Sequence, residues 1–129
     1  NMKIGQLTKN FHIDEFKCND LLRSSVPLKY TLNVLLLAHN LQSLRTYLNA
    51  PIHINSGYRT IPYNLYVGGK KGSKHRLAQA ADIVVPGHTP RQVHKAIRKL
   101  IHLGKMNEGG LGLYDTFVHY DVREVKARW

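Results

Sequence analysis

Ser73-Lys-His-Arg-Leu-Ala-Gln-Ala-Ala-Asp82 is the stretch on which the reading of this chain turns. It leads out of a basic, glycine-containing loop, Gly68-Gly-Lys-Lys-Gly-Ser-Lys74, into the run Ala80-Ala-Asp-Ile-Val-Val85, which reads as a buried strand ended by Pro86-Gly87. A carboxylate inside such a run is costly unless it is paired or bound to metal, so Asp82 needs a partner. Near the other end, Phe117-Val-His-Tyr-Asp-Val-Arg123 raises the same question for His119, whose neighbours Val118 and Val122 are apolar. Two imidazoles, His75 and His119, with one carboxylate, Asp82, suit a zinc ion that keeps one position open for water. Spacing alone leaves other readings open. Asp82 could pair with an arginine or cap a turn, and His119 could be a core histidine with its hydrogen bonds satisfied.

Working outward, apolar residues recur at three and four from Leu28 to Asn49, which predicts the longest helix. Leu28, Leu32, Leu35, Leu36, Leu44, Tyr47 and Leu48 are its expected core face, with Pro27 at the helix start and His39 not expected to be a ligand. Phe11, Ile13 and Phe16 predict a short turn packed on the body. Ala50-Pro51 breaks the helix, Ile52–Ser56 alternates as a strand, and Thr60-Ile-Pro62 opens a short helix stopped at Gly68-Gly69. Thr89-Pro90 is an N-cap and first helical residue for a second helix, with Val93, Ala96, Ile97, Leu100 and Ile101 as its stripe and Gly104 as its stop. Leu111–Tyr114 and Phe117–Val122 read as a hairpin turning near Asp115-Thr116. This order predicts an α+β fold with a small, largely antiparallel sheet packed against helices, in a single domain spanning residues 1–129.

The chain carries 19 Lys and Arg against 8 Asp and Glu, a net charge of +11. Such a charge favours polyanions: nucleic acid, anionic membrane or wall polymer. The basic residues are scattered and no nucleic-acid reader motif is present, so specific nucleic-acid binding is not expected. The loop 68–74 lacks the glycine spacing and following Lys-Ser or Lys-Thr of a phosphate cradle. No apolar run reaches the ~20 residues of a membrane span. Asn1-Met-Lys-Ile-Gly has no apolar signal region, and Asn1 ahead of Met2 reads as an added residue; an export signal could have been trimmed, which leaves the location unknown. The single cysteine, Cys18, is expected to be a buried small hydrophobe. A monomer is expected.

Strand alternation puts His119 and Asp121 on one face and Val118, Tyr120 and Val122 on the other. Asp121 could then act as a base on metal-bound water, orient His119, or simply pair with Arg123. The motif set Ser56-Gly-Tyr-Arg59, Ser73-x-His75 with six residues before Asp82, and Gly110-x-Gly-x-Tyr114 leading to Phe117-Val-His-x-Asp-Val-Arg123 resembles the D-alanyl-D-alanine carboxypeptidase family of zinc peptidases. The likeness is greatest to the branch rich in phage endolysins and cell-wall endopeptidases. Phe11–Phe16 and Ala127-Arg-Trp129 are similar too.

The resemblance implies a hedgehog-like α+β fold and zinc on His75, Asp82 and His119. It implies Arg59 on a substrate carbonyl or oxyanion, Ser73 and Tyr114 near the substrate, and peptidoglycan stem peptides as the partner. One departure matters. Related branches carry a catalytic Glu three residues before the last ligand or a His two before it, and here those positions are Thr116 and Phe117. Asp121 is therefore the first candidate for the base, with Asp115 and Glu108 behind it. A non-catalytic, zinc-containing wall-binding module is the rival reading.

Overall fold

Leucines on every side of one long helix decide how the core is built. In the computed structural model, which describes residues 3–129, a 3-10 turn at Leu28–Tyr30 leads into α1 (Thr31–Leu48). Asn1 and Met2, with the reading of Asn1 as an added residue, lie outside the described residues. The buried face of α1 is Val34, Leu37, Ala38, Asn40, Leu41 and Leu44. Of the seven residues expected to face the core, only Leu44 is buried; Leu28 and Leu32 are 92% and 79% exposed, and Leu35, Leu36 and Tyr47 are also exposed. Two interleaved apolar stripes run along this helix, and periodicity cannot choose between them. Packing chose the stripe carrying Val34, Ala38 and Leu41, whose small and branched side chains allow close approach to the sheet and to the helix beside it.

The remaining elements follow their local signals. β1 (His53–Ser56) precedes α2 (Ile61–Tyr66), whose N-terminus is capped by the Thr60 hydroxyl. A 3-10 turn at Lys74–Leu77 enters β2 (Ala80–Val84). α3 (Pro90–His102) starts with a capping box in which Thr89 and Gln92 satisfy each other's backbone N–H groups, and it buries Val93, Ala96, Ile97 and Leu100. β3 (Gly110–Leu113) and β4 (Val118–Asp121) form the expected hairpin, and β5 (Ala127–Arg128), which the sequence reading lacked, adds an edge.

The sheet order is β1-β2-β4-β3-β5. Every pairing is antiparallel except β3 with β5, so the sheet is mixed and largely antiparallel. Helices α1 and α3 cover one face, and the apolar side chains of Ile83, Leu111, Val118 and Tyr120 enter a single core cluster with theirs. The Tyr120 hydroxyl donates its one proton to the Asn107 carbonyl at 2.6 Å, with Asn40 Oδ1 the alternative acceptor at 3.1 Å, so the one phenol buried in the centre has its polar end satisfied.

The N-terminal segment is built into this body. Phe11 and Phe16 are buried around the 3-10 turn Ile13–Phe16, and Cys18 is buried beside them. Tyr58 N–H donates to the Phe16 carbonyl at 2.9 Å. The crossing is so close that a Cβ on Gly57 would lie 2.9 Å from Phe16 Cα and its carbonyl oxygen, which explains the glycine in Ser56-Gly-Tyr-Arg59. Among the described residues, no helix is long and apolar enough to cross a membrane.

The choice of helix face has a direct check. Leu37→Ala is expected to destabilise the protein by ~2–5 kcal/mol as a buried large-to-small change. Leu32→Ala should stay within ~0.5 kcal/mol as a surface change. Urea denaturation of both variants measures the difference, and equal effects would mean that the helix faces are wrongly assigned.

Candidate metal centre

One face of the sheet's middle strands, β2 and β4, carries the chemistry. Antiparallel pairing sets Asp82 on β2 directly opposite His119 on β4, and Ser56 on β1 opposite Asp82 on its other side. His75 comes from the 3-10 turn that feeds β2, where the Ser73 hydroxyl accepts from the His75 N–H at 3.3 Å. That turn ends at Ala78 with a left-handed φ of 56°, which reverses the chain into the strand. His75, Asp82 and His119 are all buried, and one ligand atom from each lies within 4.8 Å of the others.

Hydrogen bonds on the far side of each ring fix which nitrogen faces inward. His75 Nδ1 lies 2.7 Å from the Gly57 carbonyl oxygen, which can only accept, so Nδ1 carries the proton and Nε2 is left with its lone pair. His119 Nε2 lies 2.7 Å from Asp121 Oδ2, and the same reasoning leaves Nδ1 facing the cluster. Asp82 Oδ1 is 3.3 Å from His75 Nε2 and 3.0 Å from His119 Nδ1. Three acceptors at this spacing repel one another unless a cation, a proton or a metal ion, sits among them. Bonds of ~2.0–2.1 Å to a tetrahedral zinc imply ligand separations of roughly 3.3 Å, so the donor set and its spacing fit a metal ion.

The electrostatics agree with this. Burial alone would raise the Asp82 carboxyl, but hydrogen bonds with His119 and His75 outweigh it and hold the group well below the usual carboxylate range. Burial likewise disfavours a charged His119, yet Asp121 and Asp82 together raise its pKa above the ordinary value. A metal ion at the trio would therefore compete with protonation of His119.

Asp121 is wholly buried and fully engaged. Its carboxylate accepts from Arg123 Nε at 2.9 Å, Arg123 Nη2 at 2.7 Å, the Arg123 N–H at 3.1 Å and the Gly110 N–H at 3.0 Å, besides meeting His119 Nε2. Burial opposes its ionisation, but His119 and Arg123 keep it an anion. A side chain at position 110 would collide with the Asp121 carboxylate and with Arg123, which accounts for the glycine there. The face sharing of His119 and Asp121 expected from strand alternation is present, and the carboxylate lies against the ring nitrogen turned away from the trio.

Arg59 stands on the other flank. Its Nη2 is 3.6 Å from Asp82 Oδ2, its Nε donates to Ser56 Oγ at 3.2 Å and its Nη1 to Asn64 Oδ1 at 3.3 Å. Asn64 escaped the sequence reading. It is buried on α2, and its amide also donates to the Lys70 carbonyl at 2.9 Å, so it couples Arg59 to the glycine loop. The available signal was a polar residue following the Thr60 cap by four in a short helix otherwise apolar.

Tyr114 and Trp129 line the opposite side: the Trp129 Nε1–H donates to the Tyr114 hydroxyl at 2.8 Å, and its ring lies 4.9 Å from that of His119. Phe117 stacks on Tyr114 with centroids 4.4 Å apart. Glu108 pairs with Arg128 at 3.2 Å and Lys126 at 3.5 Å, and Asp115 and Thr116 are exposed in the hairpin turn.

No curated protein sequence matches the chain. Residues 9–121 match the family model described as Peptidase M15. That span takes in the N-terminal turn, all three helices, and the strands that bear Asp82 and His119. The chain belongs to the Peptidase M15 family, within the superfamily of zinc D,D-carboxypeptidases and hedgehog-like proteins, and is a metallopeptidase.

Proposed function

We propose that the protein hydrolyses peptide bonds in the stem peptides of bacterial peptidoglycan, using zinc held by His75 Nε2, Asp82 Oδ1 and His119 Nδ1. The observation that carries this reading is the buried trio of inward-facing acceptors with its outer N–H groups already committed. When bound, zinc would lower the pKa of a water toward ~7 and polarise the scissile carbonyl. The rest is work for the chain's own side chains. Gly57 and Asp121 keep each imidazole in the tautomer that presents a lone pair. Arg59, anchored by Ser56 and Asn64, offers a fixed positive charge beside Asp82, where negative charge develops on the substrate oxygen. A net charge of +11 draws the protein to an anionic wall. The 129 residues would act as one domain and as a monomer on the wall.

Of the three roles open to Asp121, the geometry favours orientation of His119. Its oxygens are taken up by Arg123, Gly110 and the outer ring nitrogen, which leaves none directed at a water among the ligands. Ser73 is engaged in capping the His75 turn, which favours support of that ligand over direct contact with substrate. Tyr114, exposed at the rim and tied to Trp129, remains the better placed of the two for substrate.

Mass spectrometry of defined muropeptides after digestion tests the activity. Cleavage abolished by a chelator and restored by zinc is expected, and intact muropeptides with fully zinc-loaded protein would overturn the reading. His119→Ala should lose the zinc equivalent that the parent protein retains through gel filtration. Asp121→Asn should weaken zinc affinity ~10–100-fold, with turnover recovering at saturating zinc. A turnover loss of ~10²–10⁴ that persists at saturating zinc would instead make Asp121 a base. Arg59→Lys should keep its zinc yet lose most activity, because an ammonium cannot span Ser56, Asn64 and Asp82 as the planar guanidinium does.

A further inference from the structure

Two flanks border the metal centre. On one lies the cleft beside Arg59, whose walls include Tyr30, Tyr58 and Pro62. On the other, β3 leaves a gap that the chain fills from elsewhere. Gly112 is paired with His119 and Gly110 with Asp121, so on this face β3 sets no side chain beside the ligand strand. Trp129, which follows β5, takes the place next to His119. A Cβ on Gly112 would lie 2.5 Å from the Trp129 Nε1, so only glycine leaves room for the indole. The backbone N–H of Trp129 donates to the Leu111 carbonyl at 3.1 Å, and its carbonyl accepts from the Leu113 N–H at 2.9 Å. Trp129 therefore extends the parallel pairing of β3 with β5, and the sheet fixes where its ring lies.

That ring touches several parts of the centre at once. Its centroid is 4.9 Å from that of His119, and the Arg123 guanidinium, which holds Asp121, lies over it at 5.2 Å. Its Nε1–H donates to the Tyr114 hydroxyl oxygen at 2.8 Å. An indole can only donate, so the Tyr114 oxygen is the acceptor and its own proton stays free to give. The incoming N–H turns that O–H away from the indole, and no described residue accepts it. Phe117 is stacked on Tyr114 with the rings 10° from parallel, which keeps the phenol from swinging. Tyr114 is 42% exposed, so its free O–H opens onto the rim of the site. A donor held in one direction, on an oxygen already polarised by an N–H, binds an acceptor at less entropic cost than a free hydroxyl does.

We propose that Trp129 is a positioning residue for substrate: its indole N–H aims the Tyr114 hydroxyl as a donor to a backbone carbonyl of the bound peptide, outside the scissile bond. The proposal rests on the peptidase reading above and deepens it by naming the pair that sets the peptide's register. A neutral O–H between aromatic rings suits an uncharged acceptor, and an amide carbonyl is the one a peptide offers at every residue. Trp129 acts through Tyr114, so its N–H matters to the substrate only while the Tyr114 hydroxyl is present.

The test uses the full chain loaded with zinc, a synthetic stem peptide, and the variants Trp129→Phe, Tyr114→Phe and the two combined. Phenylalanine at 129 keeps a ring beside His119 but has no N–H to give. Each single variant should keep its zinc and lose about tenfold in kcat/KM, mostly through KM, the scale of one hydrogen bond. The double variant should lose no more than Tyr114→Phe alone. Trp129 is the single tryptophan of the chain, so its emission is a second readout that needs no variant at 129. Rapid mixing with peptide should change that emission before turnover, and Tyr114→Phe should need about tenfold more peptide for half the change. Losses that multiply in the double variant would overturn the proposal, as would an emission that peptide leaves unchanged. Loss of zinc from Trp129→Phe would also overturn it, by showing that the indole serves only to pack His119. Cleavage at the parental rate and KM by all three variants would sink the positioning role and leave the peptidase reading standing. The same non-additive pattern in peptide affinities measured by calorimetry, on zinc-loaded protein that cleaves nothing, would support the positioning role and sink the peptidase reading.

Discussion

The pairing of β2 with β4 in one register is the constraint on which the site depends. It puts Asp82 and His119 side by side and, on the opposite face of the same strands, sends Ile83, Val118 and Tyr120 into the core. A slip of one residue would exchange the two sets, burying a carboxylate and an imidazole among leucines and exposing the apolar side chains. The hydrophobic effect therefore enforces the site geometry. Several buried apolar residues on each strand hold the register that two polar residues need. Tyr120 tightens it further, since its hydroxyl finds partners in Asn40 and Asn107 only when β4 sits in this position.

The second requirement is that His75 reach the same point from outside the sheet. The chain meets it through a network of backbone contacts around Gly57. The Gly57 carbonyl accepts from His75 Nδ1, the Arg59 N–H donates to the His75 carbonyl at 3.0 Å, and the Tyr58 N–H donates to Phe16. The N-terminal turn, the loop after β1 and the ligand turn are thus locked at one junction. Ala78, held in a left-handed conformation at the end of that turn, stores local strain of about 1–3 kcal/mol so that four residues later Asp82 meets His75. Strain at such a place is tolerable because the junction and the strand on either side over-determine the path.

Legibility in the sequence followed from how local each signal was. Caps and stops, such as Thr60, Thr89 with Pro90, and Gly104, act within one turn, and they set the helix ends where the sequence indicated them. The strand bearing Asp82 was legible because a carboxylate in a run of alanine, isoleucine and valine is rarely accidental. The face of α1 was not legible, because Leu28, Leu32, Leu35 and Leu36 compete with Val34, Leu37 and Leu41 on equal terms, and only the tertiary partners break the tie. Strand alternation correctly put Asp121 on the face of His119. It could not say which ring nitrogen the carboxylate would meet, because that depends on the rotation of the imidazole about its own bonds. Asn64 and the cleft beside Arg59 were hidden for a further reason: each exists only where segments distant in sequence converge.

The charge arrangement around the trio has a logic that the individual distances do not state. Two carboxylates, Asp82 and Asp121, are each matched to a guanidinium, Arg59 and Arg123, and the two imidazoles lie between these pairs. Both arginines are fixed cations at any pH where the protein folds. The centre is therefore close to neutral when both rings are neutral, and a divalent ion would add its full charge to a site already balanced. That addition is tolerable only because Arg59 sits on the outer oxygen of Asp82 and not among the inward-facing atoms, which keeps cation from cation and leaves the guanidinium toward the cleft. An incoming peptide oxygen would then meet positive charge from both sides. In that arrangement Arg59 would balance the outer oxygen of Asp82 with or without a metal on the inner one, and its guanidinium would still face the cleft.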